Sequence, residues 1–186
     1  MSFGRHTHAP PADARQAAVT MLLYPPPVAE AGSLLYDRWL LPLVVRPETM
    51  TDHAGQIALP GGRVEPGESS ETAALRELEE ELGVPADGLD VIGPLSTISL
   101  FVTNFAVTPW VVASRERPEL RAYEREVCGV LELPLAWLRE AANVSSFRYR
   151  NRGIEFNAPC FKWQGYCIWG ATAIMLSELA EVIAKR

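Results

Sequence analysis

Cysteine is scarce in this chain, long apolar runs are missing, and basic charge is not in excess. The three cysteines, Cys128, Cys160 and Cys167, fall at spacings that match no paired metal-ligand motif. An odd and sparse count also argues against a disulfide framework, so small core residues are expected. No apolar stretch approaches the roughly 20 residues that span a bilayer, and MSFGRHTHAPPADARQ at the start lacks the hydrophobic stretch of a signal peptide. The expectation is a cytoplasmic protein with no membrane partner. There is no internal repeat and no low-complexity tract. With a net charge of -6, a nucleic-acid partner is not expected either.

What is present suits one domain. The chain has 186 residues, of which 48% are apolar, enough for a proper core. Residues 1–16, with Pro10 and Pro11 and no apolar periodicity, are expected to form a flexible arm in which His6 and His8 have no assigned role. Residues 17–186 are expected to form the single domain. The charge imbalance is local: residues 65–81 hold seven glutamates and one arginine, and the remainder is neutral. An acidic knot on a neutral body points to a cation site.

The segments AAVTMLLY (17–24) and WLLPLVVR (39–46) read as strands, the second pushed toward a sheet edge by Pro42. QIALPGGRV (56–64) reads as a short strand entering a glycine turn. A helix follows, with Ser69 or Ser70 as N-cap, a body running to Leu82 and Gly83 as a left-handed stop before Pro85. LDVIGPLSTISL (89–100) and FAVTPWVVAS (105–114) read as strands, and PLAWLREAA (134–142) as a short helix. FRYRNRGIEFNAPCFKWQGYCIWG (147–170) reads as paired strands turning at 151–153 and at Gln164-Gly165. Its three arginines suit a solvated turn or, at most, a clamp for one extra phosphate. The final helix, 171–185, is expected to bury Met175, Leu179, Val182 and Ile183. Strands mixed with a few helices imply an α/β sandwich.

RELEEELG (76–83) places four glutamates at a helix C-terminus, where the macrodipole disfavours negative charge by about 0.3–1 kcal/mol each. At 100° per residue Glu77, Glu80 and Glu81 share one face, Leu75, Leu78 and Leu82 form the gripping stripe, and Glu79 points elsewhere. Ala73 and Ala74, one turn earlier, are expected to leave access to the carboxylate face open. A divalent cation with oxygen ligands reverses both the mutual repulsion and the dipole penalty. Arg76 can hold a neighbouring carboxylate through its planar fork without competing as a ligand. A glutamate-rich helix with no other feature would be a solvated face.

The surrounding stretch GGRVEPGESSETAALRELEEELGV (61–84) sets Gly62, Glu68, Arg76-Glu77, Glu80-Glu81 and Gly83 at fixed spacing, and it resembles the signature box of the Nudix hydrolases. The resemblance implies an α/β/α sandwich with a mixed sheet and a loop-helix-loop motif. It also implies an enzyme that hydrolyses nucleoside diphosphate derivatives with Mg²⁺ or Mn²⁺. Carried over by position, Glu77, Glu80 and Glu81 become the metal carboxylates, Gly62 a backbone ligand or a point of close approach to phosphate, Arg76 the residue orienting Glu77, and Glu68 a brace for the loop. Glu81, Glu77 or, outside the box, Glu126 would take the proton of the attacking water.

RPETMTDHAGQIALPGG (46–62), with Arg46, Met50, His53 and Gly55-Gln56, is similar to the segment that marks the coenzyme A pyrophosphatase subfamily. TNFAVTPWV, EVCGVLELPL and GYCIWGATAIML extend that likeness. Val44-Val45, Pro47 and a long excursion at 25–32 depart from it. The implied substrate is coenzyme A or acyl-coenzyme A, split into 3′-phosphoadenosine 5′-phosphate and (acyl-)4′-phosphopantetheine by a monomer or homodimer. Arg46, His53, Gln56 and Arg63 are its substrate-binding candidates. Gln56 would donate to a phosphate oxygen or to loop backbone, and Arg63 would offset diphosphate charge or lie solvated. Hydrolysis of ADP-ribose or another nucleotide derivative, and a non-catalytic nucleotide-binding regulatory module, remain the alternatives.

Overall fold

The computed structural model describes residues 9–27, 38–48, 55–101, 103–123, 127–151 and 154–184. His6, His8, Met50, His53, Glu126 and most of the turn expected at 151–153 lie outside them. The order is β1 (Arg15–Leu23), β2 (Leu40–Val45), β3 (Ile57–Ala58), β4 (Gly61–Arg63), α1 (Ser70–Leu82), β5 (Leu89–Pro94), β6 (Ile98–Leu100), β7 (Phe105–Ser114) and β8 (Gly129–Pro134). Then come α2 (Leu135–Leu138), β9 (Val144–Asn151), β10 (Ile154–Trp163), β11 (Tyr166–Trp169) and α3 (Gly170–Ala184). None of the described helices is long and apolar enough to cross a membrane.

A mixed sheet is central. Strands run β4-β1-β7-β5 with β6 also on β7; β1 and β7 are parallel and the other pairs antiparallel. Strand alternation gives the sheet two apolar faces. Ala18, Thr20 and Leu22 of β1 meet α1, while Met21 and Leu23 enter a larger core with Leu41, Leu43, Leu133, Phe161, Ile168 and Leu176. That second core is closed by a β3-β2-β8 sheet, a β11-β10-β9 meander, and helices α2 and α3.

Helix α1 sits very close to β1. Ala18, Ala73 and Ala74 are fully buried against one another, and Thr20 Oγ1 donates to the Ala74 carbonyl at 2.7 Å. The alanines therefore do not open a path to the carboxylates. They bring the helix down onto the sheet. Leu78 and Leu82 fill the next turn against Leu22, Tyr24 and Val112, each contributing about 1.5–3 kcal/mol by burial. Ser69 is the N-cap, its Oγ accepting the Thr72 N–H at 3.0 Å, and Gly83 ends the helix at φ 68°.

Several expectations need correction. Pro42 lies in the central strand of its sheet, not at an edge. Leu40 bonds Tyr24, and Arg46 bonds Gln56 and Gly55, on the side where the alternate residue Pro42 lacks its N–H. Pro42 thus falls in the gap between the Tyr24 bridge and β3, where no donor is required. The strand expected at 89–100 is broken into β5 and β6, and the short strand expected within 56–64 is β3, after which Gly61 and Gly62 belong to a second strand, β4, and not to a turn. Val182 is exposed at 47%, while Met175 and Leu179 are buried and Ile183 is partly so. Cys160 and Cys167 form a disulfide with Cα atoms 5.8 Å apart, and Cys128 is an exposed thiol. Their register in the β10-β11 hairpin, not their spacing, pairs them: Lys162 faces Cys167 and Cys160 faces Trp169, so the two cysteines are diagonal neighbours. The hairpin turns tightly at Gln164 (φ 48°) and Gly165 (φ 85°), both in the left-handed region that a two-residue loop demands.

Because the β1–α1 contact is filled by side chains of minimal size, Ala18→Val should force the helix outward and destabilise the protein by about 1–3 kcal/mol in urea unfolding.

Candidate active site

The carboxylate face of α1 rests on the glycine pair that forms β4. A side-chain carbon on Gly62 would sit inside the Glu77 carboxylate, and one on Gly61 would strike the Ala18 carbonyl and Val19. Only glycine admits this approach. Gly61 N–H donates to Glu81 Oε2 at 3.1 Å, and Glu81 is only 4% exposed. Glu77 and Glu81 therefore lie along adjacent residues of one strand. Glu80 faces outward with its side chain 56% exposed, and Glu79 is also exposed.

Arg76 connects what the helix spacing sets apart. Its Nη1 donates to Glu77 Oε1 at 2.9 Å and to Glu80 Oε2 at 3.1 Å; its Nη2 donates to the Arg63 carbonyl at 3.0 Å. Nε and Nη2 also grip both oxygens of Glu68, at 3.0 and 3.2 Å, in the two-point geometry that only a planar guanidinium offers. Glu68 reaches this position because Glu65-Pro66-Gly67-Glu68 forms a tight turn. Proline is second, Gly67 is third at φ 85°, and the Glu68 N–H returns to the Glu65 carbonyl. The Arg76 hydrogen bonds, then the Glu65 N–H, hold the Glu68 carboxyl below its ordinary value, and Glu68 and Glu77 raise Arg76.

The negative end of α1 is neutralised by backbone. Gly83 N–H bonds the Glu79 carbonyl, Tyr123 N–H the Glu81 carbonyl and Arg121 N–H the Leu82 carbonyl, at 2.8, 3.0 and 2.8 Å. No sequence pattern announces the last two donors, since they arrive from a distant segment. Beyond it Arg117 contacts the Glu132 carboxylate at 2.7 Å, and the buried Tyr24 hydroxyl donates to Glu132 Oε1 at 2.6 Å. Burial and that carboxylate push the Tyr24 pKa up.

The remaining candidates divide. Arg46 N–H bonds the Gln56 carbonyl and Gly55 N–H the Arg46 carbonyl, so residues 46–56 begin and end at one point, directly before β3 and the glycine pair. The Arg46 Nε is buried with no hydrogen-bond partner among the described residues. Arg63 is not brought to the carboxylates: its side chain leaves the other face of β4 and lies over the Phe105 ring. His53 lies outside the described residues.

The face offers oxygen donors alone, the chemistry of a hard divalent cation. Among the described residues no group of three or more His, Cys, Asp or Glu side chains is arranged to hold a metal. Arg76 spans Glu77 and Glu80 instead, and Gly61 holds Glu81. The donor set fits such an ion in kind, and a guanidinium already lies between two of its carboxylates.

The NUDIX domain model matches residues 28–149. An uncharacterized Nudix hydrolase, NudL, of Cronobacter sakazakii is 37% identical over 79% of this chain and 82% of its own. That of Klebsiella pneumoniae strain 342 is 34% identical over 89% and 91%. Among solved structures, the Nudix hydrolase RenU of M. smegmatis superposes with a TM-score of 0.62 at 19% identity, covering 92% of this chain and 87% of that one. DR0079 of Deinococcus radiodurans gives 0.53 at 20% identity over 91% and 86%. At those identities the two structures speak for the fold.

The Glu68–Arg76 pair sets a pH dependence. A carboxyl depressed in the folded state adds stability that is complete above its ordinary pKa of 4.5 and is lost as pH falls through the lower native value. Glu68→Gln should therefore melt below wild type near neutral pH, and the gap should close on acidification below about pH 4.5, as followed by thermal unfolding across a pH series.

Proposed function

The chain belongs to the Nudix hydrolase family, and we propose that it hydrolyses the diphosphate of coenzyme A or acyl-coenzyme A with Mg²⁺ or Mn²⁺. The products are 3′-phosphoadenosine 5′-phosphate and (acyl-)4′-phosphopantetheine. Its fold is the Nudix fold, a mixed sheet with helices on its faces. The observation that carries the hydrolase reading is the seating of Glu77 and Glu81 on Gly61-Gly62 while Arg76 holds Glu68, Glu77 and Glu80. The coenzyme A reading rests on residues 46–62, whose loop is closed by Arg46 against Gln56 and Gly55 immediately before those glycines.

Glu77, Glu80, Glu81 and the Gly62 carbonyl are the groups that would hold the metal. When bound, it neutralises phosphate oxygens and makes a coordinated water acidic enough to attack at neutral pH. The chain supplies position and proton transfer. Arg76 keeps Glu77 and Glu80 from swinging apart, and Glu68 keeps Arg76 from following substrate charge. Glu81, buried and fixed by the Gly61 amide, is a proton acceptor of set orientation; Glu77 is the other. As the water oxygen bonds to phosphorus, its proton passes to that carboxylate and the bridging P–O bond breaks. Arg46 and Gln56 stand where the loop meets β3, and they are assigned to the phosphate oxygens together with His53.

The deciding experiment is a chromatographic screen of coenzyme A, acetyl-coenzyme A, ADP-ribose, NADH and diadenosine polyphosphates with each metal. Coenzyme A species should be cleaved fastest; fast turnover of ADP-ribose with none of coenzyme A would overturn the assignment.

Within the site, Glu81→Gln preserves shape but removes a charge and a proton acceptor, and kcat should fall by about 10²–10⁴-fold. Glu79→Gln, on the exposed side of α1, should leave turnover near wild type in the same assay.

A further inference from the structure

Two arginines that the glutamate helix does not use share one aromatic ring. Arg15 Cζ lies 4.1 Å from the Phe105 ring centroid and Arg63 Cζ 5.6 Å from it. Strand register makes the cluster. Arg15 faces Phe105 across the parallel β1-β7 pair, and Arg63 faces Ala17 across β1-β4, so all three side chains leave the sheet on the side opposite α1. Both arginines are exposed. Arg15 also donates to the Thr103 carbonyl at 2.6 Å. Neither guanidinium has a carboxylate partner among the described residues, and nearby Asp13 is taken up by Asn104 Nδ2 at 3.4 Å.

Five other arginines among the described residues do have carboxylate partners: Arg76 with Glu68, Arg117 with Glu132, Arg115 with Asp90, Arg121 with Glu119 and Arg150 with Glu155. Two unmatched guanidiniums on one ring repel each other, and the ring's negative face offsets only part of that repulsion. A dianion between them would offset the rest through paired N–H donors. Position ties this cluster to the site. Arg63 is bonded directly to Gly62, and β4 ends the sheet, so a ligand at the glycine pair needs only to round one strand to reach it.

We propose that Arg15 and Arg63 form a subsite for a phosphomonoester carried by the nucleotide substrate, the 3′-phosphate that distinguishes coenzyme A from 3′-dephospho-coenzyme A. The subsite rests on the hydrolase reading above and adds to it the reason one end of the substrate is recognised. Phe105 gathers the two guanidiniums, Arg15 is further steadied by Thr103, and the phosphate would bridge them.

The test compares kcat/KM for coenzyme A and 3′-dephospho-coenzyme A in wild type and in Arg15→Gln/Arg63→Gln. In parallel, calorimetry compares binding of 3′-phosphoadenosine 5′-phosphate with that of AMP. Wild type should favour the 3′-phosphorylated member of each pair by about tenfold or more, expressed in KM and affinity, and the double variant should lose that preference. Arg15→Lys/Arg63→Lys, which keeps charge but not the fork, should retain an intermediate preference and serves if the glutamine variant is poorly folded. An equal preference in wild type and variants, or none in wild type, overturns the subsite. If neither coenzyme A species is cleaved, the hydrolase assignment falls, while the calorimetric comparison still decides the subsite.

Discussion

Helix α1 lies against β1 and β4 at a distance that only residues without bulk permit. Alanine meets alanine at Ala18, Ala73 and Ala74, and one turn on the helix meets Gly61 and Gly62. Everything at the site follows from that spacing. With larger residues the Glu77 and Glu81 carboxylates would stand off the strand. With it, Glu81 is buried against a backbone N–H, and Glu77 fills the space a side chain on Gly62 would need. The stabilisation comes from elsewhere on the same helix, from Leu78 and Leu82 in the core beneath. A dry apolar stripe thus holds a charged stripe in place a quarter turn away.

Clustered carboxylates at a helix C-terminus carry two penalties, mutual repulsion and the helix dipole. The fold offsets both with parts that are not themselves acidic. Arg76 is placed among Glu68, Glu77 and Glu80 by helical spacing and by the Pro66-Gly67 turn. The exposed carbonyl ends of α1 receive N–H groups from Gly83, Arg121 and Tyr123. Because Glu68 has one oxygen on Arg76 Nε and the other on Nη2, the guanidinium plane is set by the loop. Glu77 and Glu80 then meet a donor whose direction is already determined.

Two segments far apart in sequence complete the surroundings. The loop between β2 and β3 is closed by paired bonds at Arg46, and Thr172 Oγ1 at the start of α3 donates to the Ile57 carbonyl at 3.2 Å, so β3 is held from both sides before it turns into β4. On the opposite face of β4, Arg63 is drawn to Phe105 beside Arg15. One edge strand thus divides an acidic side from a basic one.

Features that depend on neighbours within a few residues were legible in the sequence by itself. An N-cap at Ser69 or Ser70, the Gly83 stop of α1, the common side of Glu77 and Glu81, the reach of Arg76 and the Gln164-Gly165 turn all follow from helical period and backbone chemistry over short spans. The family resemblance was also legible, because its box is a local spacing pattern. The rest depended on which segments meet. Ala73 and Ala74 read as open ground until β1 was set beneath them, and Pro42 read as an edge marker until Tyr24 and β3 were seen to leave a gap at that one position. Cys160 and Cys167 are joined by hairpin register, and Arg63 was separated from the carboxylates by strand alternation. The α1 carbonyls are capped by a segment some forty residues later. A side chain's period along its own element can be counted from sequence, but its partner across the chain is chosen by packing, and only the tertiary structure decides that.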